Sequence, residues 1–212
     1  MKQNLNEQIA RIKSMMGCCK GKVNEDQENC VDPESETGQK LIDNIVGTIK
    51  YDLEQTGIDN SDIQYNTEDT PEILDAKKKI ADILNPVLPN ASVEQIKEMI
   101  KGIKKTIRQR KQGKEVEPTP VNEQAGIAAL AEVQLFLASI PTGIFIVIGA
   151  WLLLRLVKCQ IYYIVQRMTG GLCGFDVNKN VMVKLMQLGF LDFRNLFNTS
   201  DGGLYGCIGM RN

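Results

Sequence analysis

The sequence predicts a mainly α-helical protein: amphipathic helices joined by linkers, then a hydrophobic, transmembrane-like helix or helical hairpin, then an apolar helical C-terminal region. Two observations lead to this prediction. Apolar residues recur at spacings of three and four through the first half of the chain, which is the period of one helix face. Residues 133–154 then form a run without any charged side chain, and as a helix this run would be roughly 33 Å long, enough to cross a bilayer core.

The N-terminal region predicts a docking helix followed by a linker. In residues 1–17, Leu5, Ile9, Ile12 and Met16 are spaced to share one helix face, and so short a helix needs something to pack against. Residues 18–38 are polar, charged and poor in large apolar groups, which is typical of a flexible linker.

A polar helical domain is predicted over residues 39–114. Its first helix, over residues 39–54, carries an apolar stripe that consists of Ile42, Ile45, Val46, Ile49 and Leu53. Residues 57–69 are predicted to be an acidic connector. The run Thr70-Pro71-Glu72 is a strong helix start, because it combines a capping side chain, Pro at the first position and an acid in the first turn. Ser92 and Gln95 form the capping box of a third helix.

The third helix is predicted to be basic and amphipathic. Its apolar face is formed by Val93, Ile96, Ile100, Ile103 and Ile107. Its other side carries Lys97, Lys101, Lys104, Lys105, Arg108, Arg110 and Lys111. Such a helix suits an anionic membrane surface, a nucleic acid or an acidic partner, and the chain's own acidic residues 51–82 are the nearest acidic partner. Nucleic acid is the weakest of these hypotheses, because no aromatic side chains are interleaved as stacking platforms.

A Pro-containing linker over residues 115–124 leads into the hydrophobic segment, residues 125–168. Pro141-Thr142-Gly143 leaves two interpretations open. A helix that continues with a kink would be a single span over about 133–157, whereas a turn would give a hairpin with arms near 126–140 and 143–166. A helix buried in the core of an assembly is the alternative to both. The residues expected to meet lipid are Val133, Phe136, Pro141, Phe145, Ile146, Trp151 and Leu152.

The residues that follow the uncharged run predict an interfacial belt. Arg155, Lys158, Tyr162 and Tyr163 are of the types that anchor a helix end at the level of lipid headgroups. In a hairpin both chain ends would lie on the same side of the membrane. The last region, residues 169–212, is apolar and contains Gly and Cys, and it is predicted to be helical over residues 176–198.

The sequence predicts no enzyme, no metal site and no cofactor. The chain contains no His, so Ser-His and Cys-His dyads are excluded, and the six cysteines form no Cys-x-x-Cys pair that would indicate structural zinc. No phosphate-binding Gly-rich motif occurs. No apolar stretch follows the early Lys2, so no signal peptide is predicted, and free thiols are expected.

The N-terminal run NLNEQIARIKSMMG, residues 4–17, resembles a short element of uncharacterised, virion-associated proteins of large marine tailed bacteriophages. The hydrophobic segment predicts a non-enzymatic structural protein that is active at membranes. The resemblance implies that this protein is a virion component that acts at the host membrane during genome delivery. Its partners would be the lipid bilayer, other virion or assembly subunits and copies of itself, and its location would be the virion or a membrane. The alternatives are a cellular single-pass or hairpin membrane protein, and a soluble helical assembly subunit whose C-terminal half is buried.

Overall fold

The computed structural model describes residues 32, 34–64, 69–116, 125–169, 180–181, 183–185 and 187–189. These parts of the chain contain helices and no strand, so the prediction of a mainly α-helical fold is confirmed. A short 3-10 turn, Leu88–Asn90, joins α3 to α4. The α-helices are α1 Glu36–Thr56, α2 Asn60–Ile63, α3 Pro71–Leu84, α4 Val93–Lys111, α5 Ala125–Ser139 and α6 Thr142–Thr169.

The helix starts follow from local capping chemistry. The Thr70 hydroxyl accepts from the Ile73 amide, with Pro71 at the first position of α3. At the start of α4 the Ser92 amide donates to the Gln95 side chain at 2.7 Å, and the Gln95 amide donates to the Ser92 hydroxyl at 3.2 Å. Both predicted starts are confirmed. Because Ser35 caps it, α1 begins earlier than the predicted residue 39.

The apolar faces are buried as the spacing predicts. In α1 the whole predicted stripe is buried, and Gly57 ends the helix in the left-handed conformation, at φ 66°. In α3, Ile73, Ile80 and Leu84 point into the core. The α4 stripe is buried except for Val93, which is half-buried at the N-terminal end.

The connector between α1 and α3 contains a helix that the sequence analysis missed. The four-residue α2 begins with a capping box between Asp59 and Asp62, in which the Asp59 amide donates to the Asp62 side chain at 3.0 Å. The Ser61 amide also donates to the Asp59 side chain, at 2.7 Å. Ile58, two residues before α2, and Ile63, the last residue of α2, are both buried. One turn has too few apolar positions to show a helical period, and the acidic composition resembles that of a linker.

The hydrophobic segment is divided into two helices at Ile140-Pro141. The Pro141 carbonyl accepts from the Phe145 amide at 2.9 Å, which is the first hydrogen bond of α6. Pro has no amide to continue α5 and disfavours helical geometry at the residue before it. The single kinked span over 133–157 is therefore wrong, and the two-helix alternative is the one that forms.

The basic helix α4 lies alongside both arms. A Cβ at Gly102 would lie 2.9 Å from the Leu130 side chain, and Arg110 reaches Ile140, so α4 and α5 run in the same direction. A Cβ at Gly149 would lie 2.8 Å from Ile107, and Arg110 lies over the ring of Phe145, so α6 runs in the opposite direction along α4. The two arms contact each other less than either contacts α4. The hairpin thus closes around α4 and not on itself.

The α6 helix is the centre of the bundle, because α1, α2, α3 and α4 all pack against it. Residues 180–181, 183–185 and 187 are also helical; Val181 and Leu185 are buried, and Lys184 donates to Asp43 of α1. The predicted docking helix 1–17, most of the linkers 18–38 and 115–124, and much of 169–212 lie outside the described residues.

Candidate membrane-active hairpin

The α6 helix is long and apolar enough to cross a membrane over Thr142–Met168, a stretch of 27 residues. Its most apolar window is nevertheless 83% buried inside the protein. Length and composition are shared by membrane spans and by the core helices of globular proteins. These two kinds of helix differ in what surrounds them, and in this protein amphipathic helices surround α6.

The helix break shortens the uncharged run. Within α6 the uncharged part extends only from Thr142 to Leu154, about 20 Å of helix against roughly 30 Å of hydrocarbon. Arg155 and Lys158 follow one turn apart. A straight crossing by α6 would draw both cations toward hydrocarbon, whereas a hairpin that enters one side of the bilayer leaves them near the headgroups.

The residues predicted to meet lipid fall into two groups. Val133, Phe145, Trp151 and Leu152 are buried, and Phe136 is half-buried. Pro141 is exposed at the break, and the Ile146 side chain one turn beyond it is 48% exposed. Of these seven predicted residues, only Pro141 and Ile146 are exposed to solvent, and both lie within about one turn of the break.

The predicted interfacial anchors contact protein. Arg155 donates to the Asn85 side chain at 2.5 Å, and its guanidinium lies 5.5 Å from the Trp151 ring centre. The Tyr163 hydroxyl donates to the Leu88 carbonyl at 2.6 Å. The ring of the adjacent Tyr162 packs edge-to-face on the Tyr163 ring. Lys158 is 3% exposed.

Part of the basic face of α4 is neutralised within the protein. Lys97 pairs with Asp52 of α1 at 3.2 Å, and its pKa is raised above the ordinary lysine value because the ammonium donates to Glu94 and also to Asp52. The side chain of Lys101 pairs with Glu98 of the same helix at 2.9 Å.

Two further basic residues tie α4 to other helices. Lys104 pairs with Asp62 of α2 at 2.6 Å and donates to the Gly57 carbonyl. Arg110 donates to the carbonyls of Leu137 and Ile140, which end α5. Compensation within the chain therefore accounts for part of the basic face.

The remaining basic residues are solvent-exposed. Lys105, Arg108 and Lys111 have no ion-pair or hydrogen-bond partner among the described residues. They lie on the C-terminal half of α4, the half that reaches the hairpin break through Arg110. Of the predicted anionic-surface residues, these three have their charges available to a partner.

The Arg110 contact was missed from the sequence, although a signal existed. Ile103, Ile107 and Arg110 are spaced by four and three, so Arg110 continues the buried stripe of α4. A cation on that stripe indicates a buried partner. Which partner it reaches depends on where the hairpin packs, and the spacing does not determine that.

A buried hydrogen-bond network joins α4 to α5. The Gln134 amide donates to the Gly102 carbonyl at 3.1 Å and to the Thr106 hydroxyl at 3.0 Å. Gln160 on α6 is also fully buried, but its side-chain amide has no hydrogen-bond partner among the described residues. Hydrogen bonds therefore compensate the burial of the Gln134 amide, whereas no described partner compensates the burial of the Gln160 amide.

The expectation of free thiols is wrong for Cys159. This buried residue of α6 is disulfide-bonded, and its partner lies outside the described residues. Free thiols are expected when no signal peptide is found, but the absence of a signal peptide does not report the distance between two sulfur atoms.

The described residues offer no evident place for a ligand. The gap between α3, α4, α5 and α6 has no room for a water molecule, and all its lining side chains are apolar. Among the described residues no group of Cys, Asp and Glu is placed to hold a metal ion. No family model, curated protein or solved structure matches this chain.

Proposed function

We propose that this protein is a non-enzymatic structural protein that stores a membrane-active hairpin, α5–α6, inside a bundle of amphipathic helices and releases it onto a lipid bilayer. The observation that carries the proposal is the burial of α6, whose apolar window is 83% covered by helices with charged outer faces. In water the covering helices shield the apolar surface of the hairpin from solvent. At a bilayer, lipid replaces them.

The packing is consistent with release of a hairpin. The described part of α5–α6 packs on its neighbours through a large set of apolar side chains, and lipid chains substitute for apolar contacts at little cost. The polar contacts that hold it include those of Arg110, Gln134 and Arg155. The covering helices α1, α3 and α4 are amphipathic, so their apolar faces can rest at the lipid interface after opening.

The resemblance of residues 4–17 to virion-associated proteins of large marine tailed bacteriophages favours a virion component. A hairpin delivered from a particle enters a membrane from one side without translocation machinery. Both of its ends then remain on that side, in agreement with the two-helix arrangement. In this setting, the hairpin is released when the particle contacts the host membrane.

A second candidate is a soluble assembly subunit in which α6 is permanently the core helix. The specific observation in its favour is the set of polar side chains on α6 that face protein, with Lys158 3% and Gln160 0% exposed. Side chains of this kind are costly in hydrocarbon. In this candidate the hairpin never meets lipid.

Vesicle flotation of the full chain, followed by an alkaline carbonate wash, distinguishes the two candidates. We expect the protein to remain with the vesicles after the wash. Ile146→Arg leaves the bundle intact, because the side chain is 48% exposed, but costs up to about 3 kcal/mol when the site lies deep in lipid. We therefore expect reduced retention of this variant. Tyr51→Arg, at a 62% exposed position of α1, is the matched control and should be retained like the wild type. Complete removal of the wild-type protein by carbonate would support the second candidate.

A further inference from the structure

The turn of the hairpin is an exposed, uncharged tip. We define the hairpin tip as the exposed residues around the break: Leu135, Ala138, Ser139, Pro141, Thr142, Gly143 and Ile146. Leu135 is 57% and Ile146 48% exposed, and they are two of the few large apolar side chains that the described part of the chain leaves in solvent. A Cβ at Gly143 would meet no atom within 4 Å, so the space in front of the turn is open.

The C-terminal end of α4 lies beside this tip. Arg110 donates to the Leu137 and Ile140 carbonyls, which fixes the last turn of α4 against the break. Arg108 and Lys111 are its exposed neighbours, and Lys105 lies about one and a half turns earlier. Among the described residues, the nearest exposed acids in sequence are Glu115 after α4 and Glu98, which pairs with Lys101 on the N-terminal half of α4, so cations outnumber acids at this end.

We infer that the hairpin tip, together with Lys105, Arg108 and Lys111, is a docking surface for an anionic lipid bilayer. Exposed apolar side chains enter the headgroup region, and adjacent cations bind lipid phosphates; each element alone binds weakly, and the two add. An uncharged, apolar tip does not suit nucleic acid, whose recognition requires stacking aromatics or polar groups beside the cations. The inference rests on the proposed function and specifies where and on which lipid the protein first makes contact.

The geometry also links docking to release. The docked side chains flank the Ile140-Pro141 break, so contact with lipid occurs at the end of the hairpin that has to enter first. Lipid phosphates then compete with the Leu137 and Ile140 carbonyls as hydrogen-bond acceptors for Arg110. Docking therefore weakens a contact that keeps the hairpin against α4.

The test is binding of the full chain to vesicles of phosphatidylcholine, with and without about one-third phosphatidylglycerol, measured by co-sedimentation at low and high salt. We expect binding to the anionic vesicles to be at least about tenfold tighter and to weaken with salt. Arg108→Glu combined with Lys111→Glu should abolish this preference. Leu135→Ser combined with Ile146→Ser should weaken binding to both kinds of vesicle by about tenfold or more.

Matched controls come from α1, whose described contact with α4 lies near Lys97, at the other end of that helix. Lys40→Glu and Tyr51→Ser are single substitutions of the same two kinds there and should bind like the wild type. If the tip variants bind as tightly as the wild type, the inference is wrong while the proposed function stands. If the wild type binds neither kind of vesicle, both are wrong. Tighter binding to single-stranded nucleic acid than to anionic vesicles would also overturn the inference.

Discussion

The guanidinium of Arg110 lies 4.5 Å from the centre of the Phe145 ring. The same group donates to the carbonyls of Leu137 and Ile140, so one side chain of α4 contacts the end of α5 and the beginning of α6. The cation satisfies carbonyls that the end of a helix leaves without partners and stacks on the aromatic face. Arg110 thereby holds the hairpin closed around α4.

Replacing Arg110 with Ala should lower the free energy of unfolding by about 2–3 kcal/mol, because two charge-assisted hydrogen bonds and a cation–π contact are lost. Lys at this position should recover only part of the loss, since an ammonium does not span two carbonyls as a planar guanidinium does. Urea unfolding followed by circular dichroism measures both. Arg108→Ala, on the same helix but exposed, is the control and should change stability by no more than about 0.5 kcal/mol.

Gly149 allows α6 to approach α4 closely. A Cβ at this position would lie 2.8 Å from the Ile107 Cδ1 atom and 3.1 Å from its Cγ1 atom. We expect Gly149→Val to cost about 1–3 kcal/mol through overpacking. Gly143→Ala, where nothing lies within 4 Å, is the small-residue control and should be neutral or slightly stabilising.

The cost at Gly149 should be recovered by making room for the added side chain. In a double-mutant cycle with Ile107→Ala, we expect a favourable coupling of about 1 kcal/mol or more. Additive effects of the two substitutions in thermal unfolding would show that the helices are not in contact at this point.

The two buried glutamines should respond oppositely to the same substitution. Gln134→Leu removes the donor that bonds the Gly102 carbonyl and the Thr106 hydroxyl, so we expect destabilisation by about 1–3 kcal/mol. Gln160→Leu removes an amide without a described partner from a fully buried position, so we expect stabilisation by about 1 kcal/mol. Chemical denaturation of both variants is the measurement. Destabilisation by Gln160→Leu would show that the Gln160 amide is hydrogen-bonded in the folded protein.

Lys104 joins α4 to the short helix α2. Its pair with Asp62 is partly buried, with side-chain exposures of 27% and 15%, so salt and solvent screen it only in part. We expect Lys104→Met to destabilise the protein by about 1 kcal/mol, and Lys105→Met, at the exposed neighbouring position, to have almost no effect. Equal effects of the two substitutions on the urea midpoint would contradict the importance of this pair.

The elements that the sequence predicted correctly are those with local causes. The start of α3 at Thr70-Pro71, the capping box of Ser92 and Gln95 and the buried stripe of α1 each depend on residues a few positions apart. The position of Arg110 and the burial of Lys158 depend on contacts between distant parts of the chain. Local periodicity carries no information about such contacts.

For the hairpin, too, local sequence patterns carried no information about contacts between distant parts of the chain. Pro141 indicated a possible break, and the structure places the break there. The uncharged run of residues 133–154 suggested exposure to lipid because apolar surface of that length needs covering. The sequence did not show that the chain supplies this cover itself, through α1, α3 and α4. The one-turn helix α2 was not predicted, because it is too short to show a helical period.

The most direct test of the central claim uses Trp151, the only tryptophan of the chain, which lies on α6 and is 5% exposed. Its fluorescence is measured in water and after addition of anionic vesicles whose lipids carry bromine at defined depths of the acyl chains. Release of the hairpin predicts quenching that is strongest for bromine within the acyl-chain region and weaker for Ile146→Arg. An emission spectrum that is unchanged and unquenched while the protein is bound to the vesicles would show that α6 remains the core of the bundle, and would contradict the account.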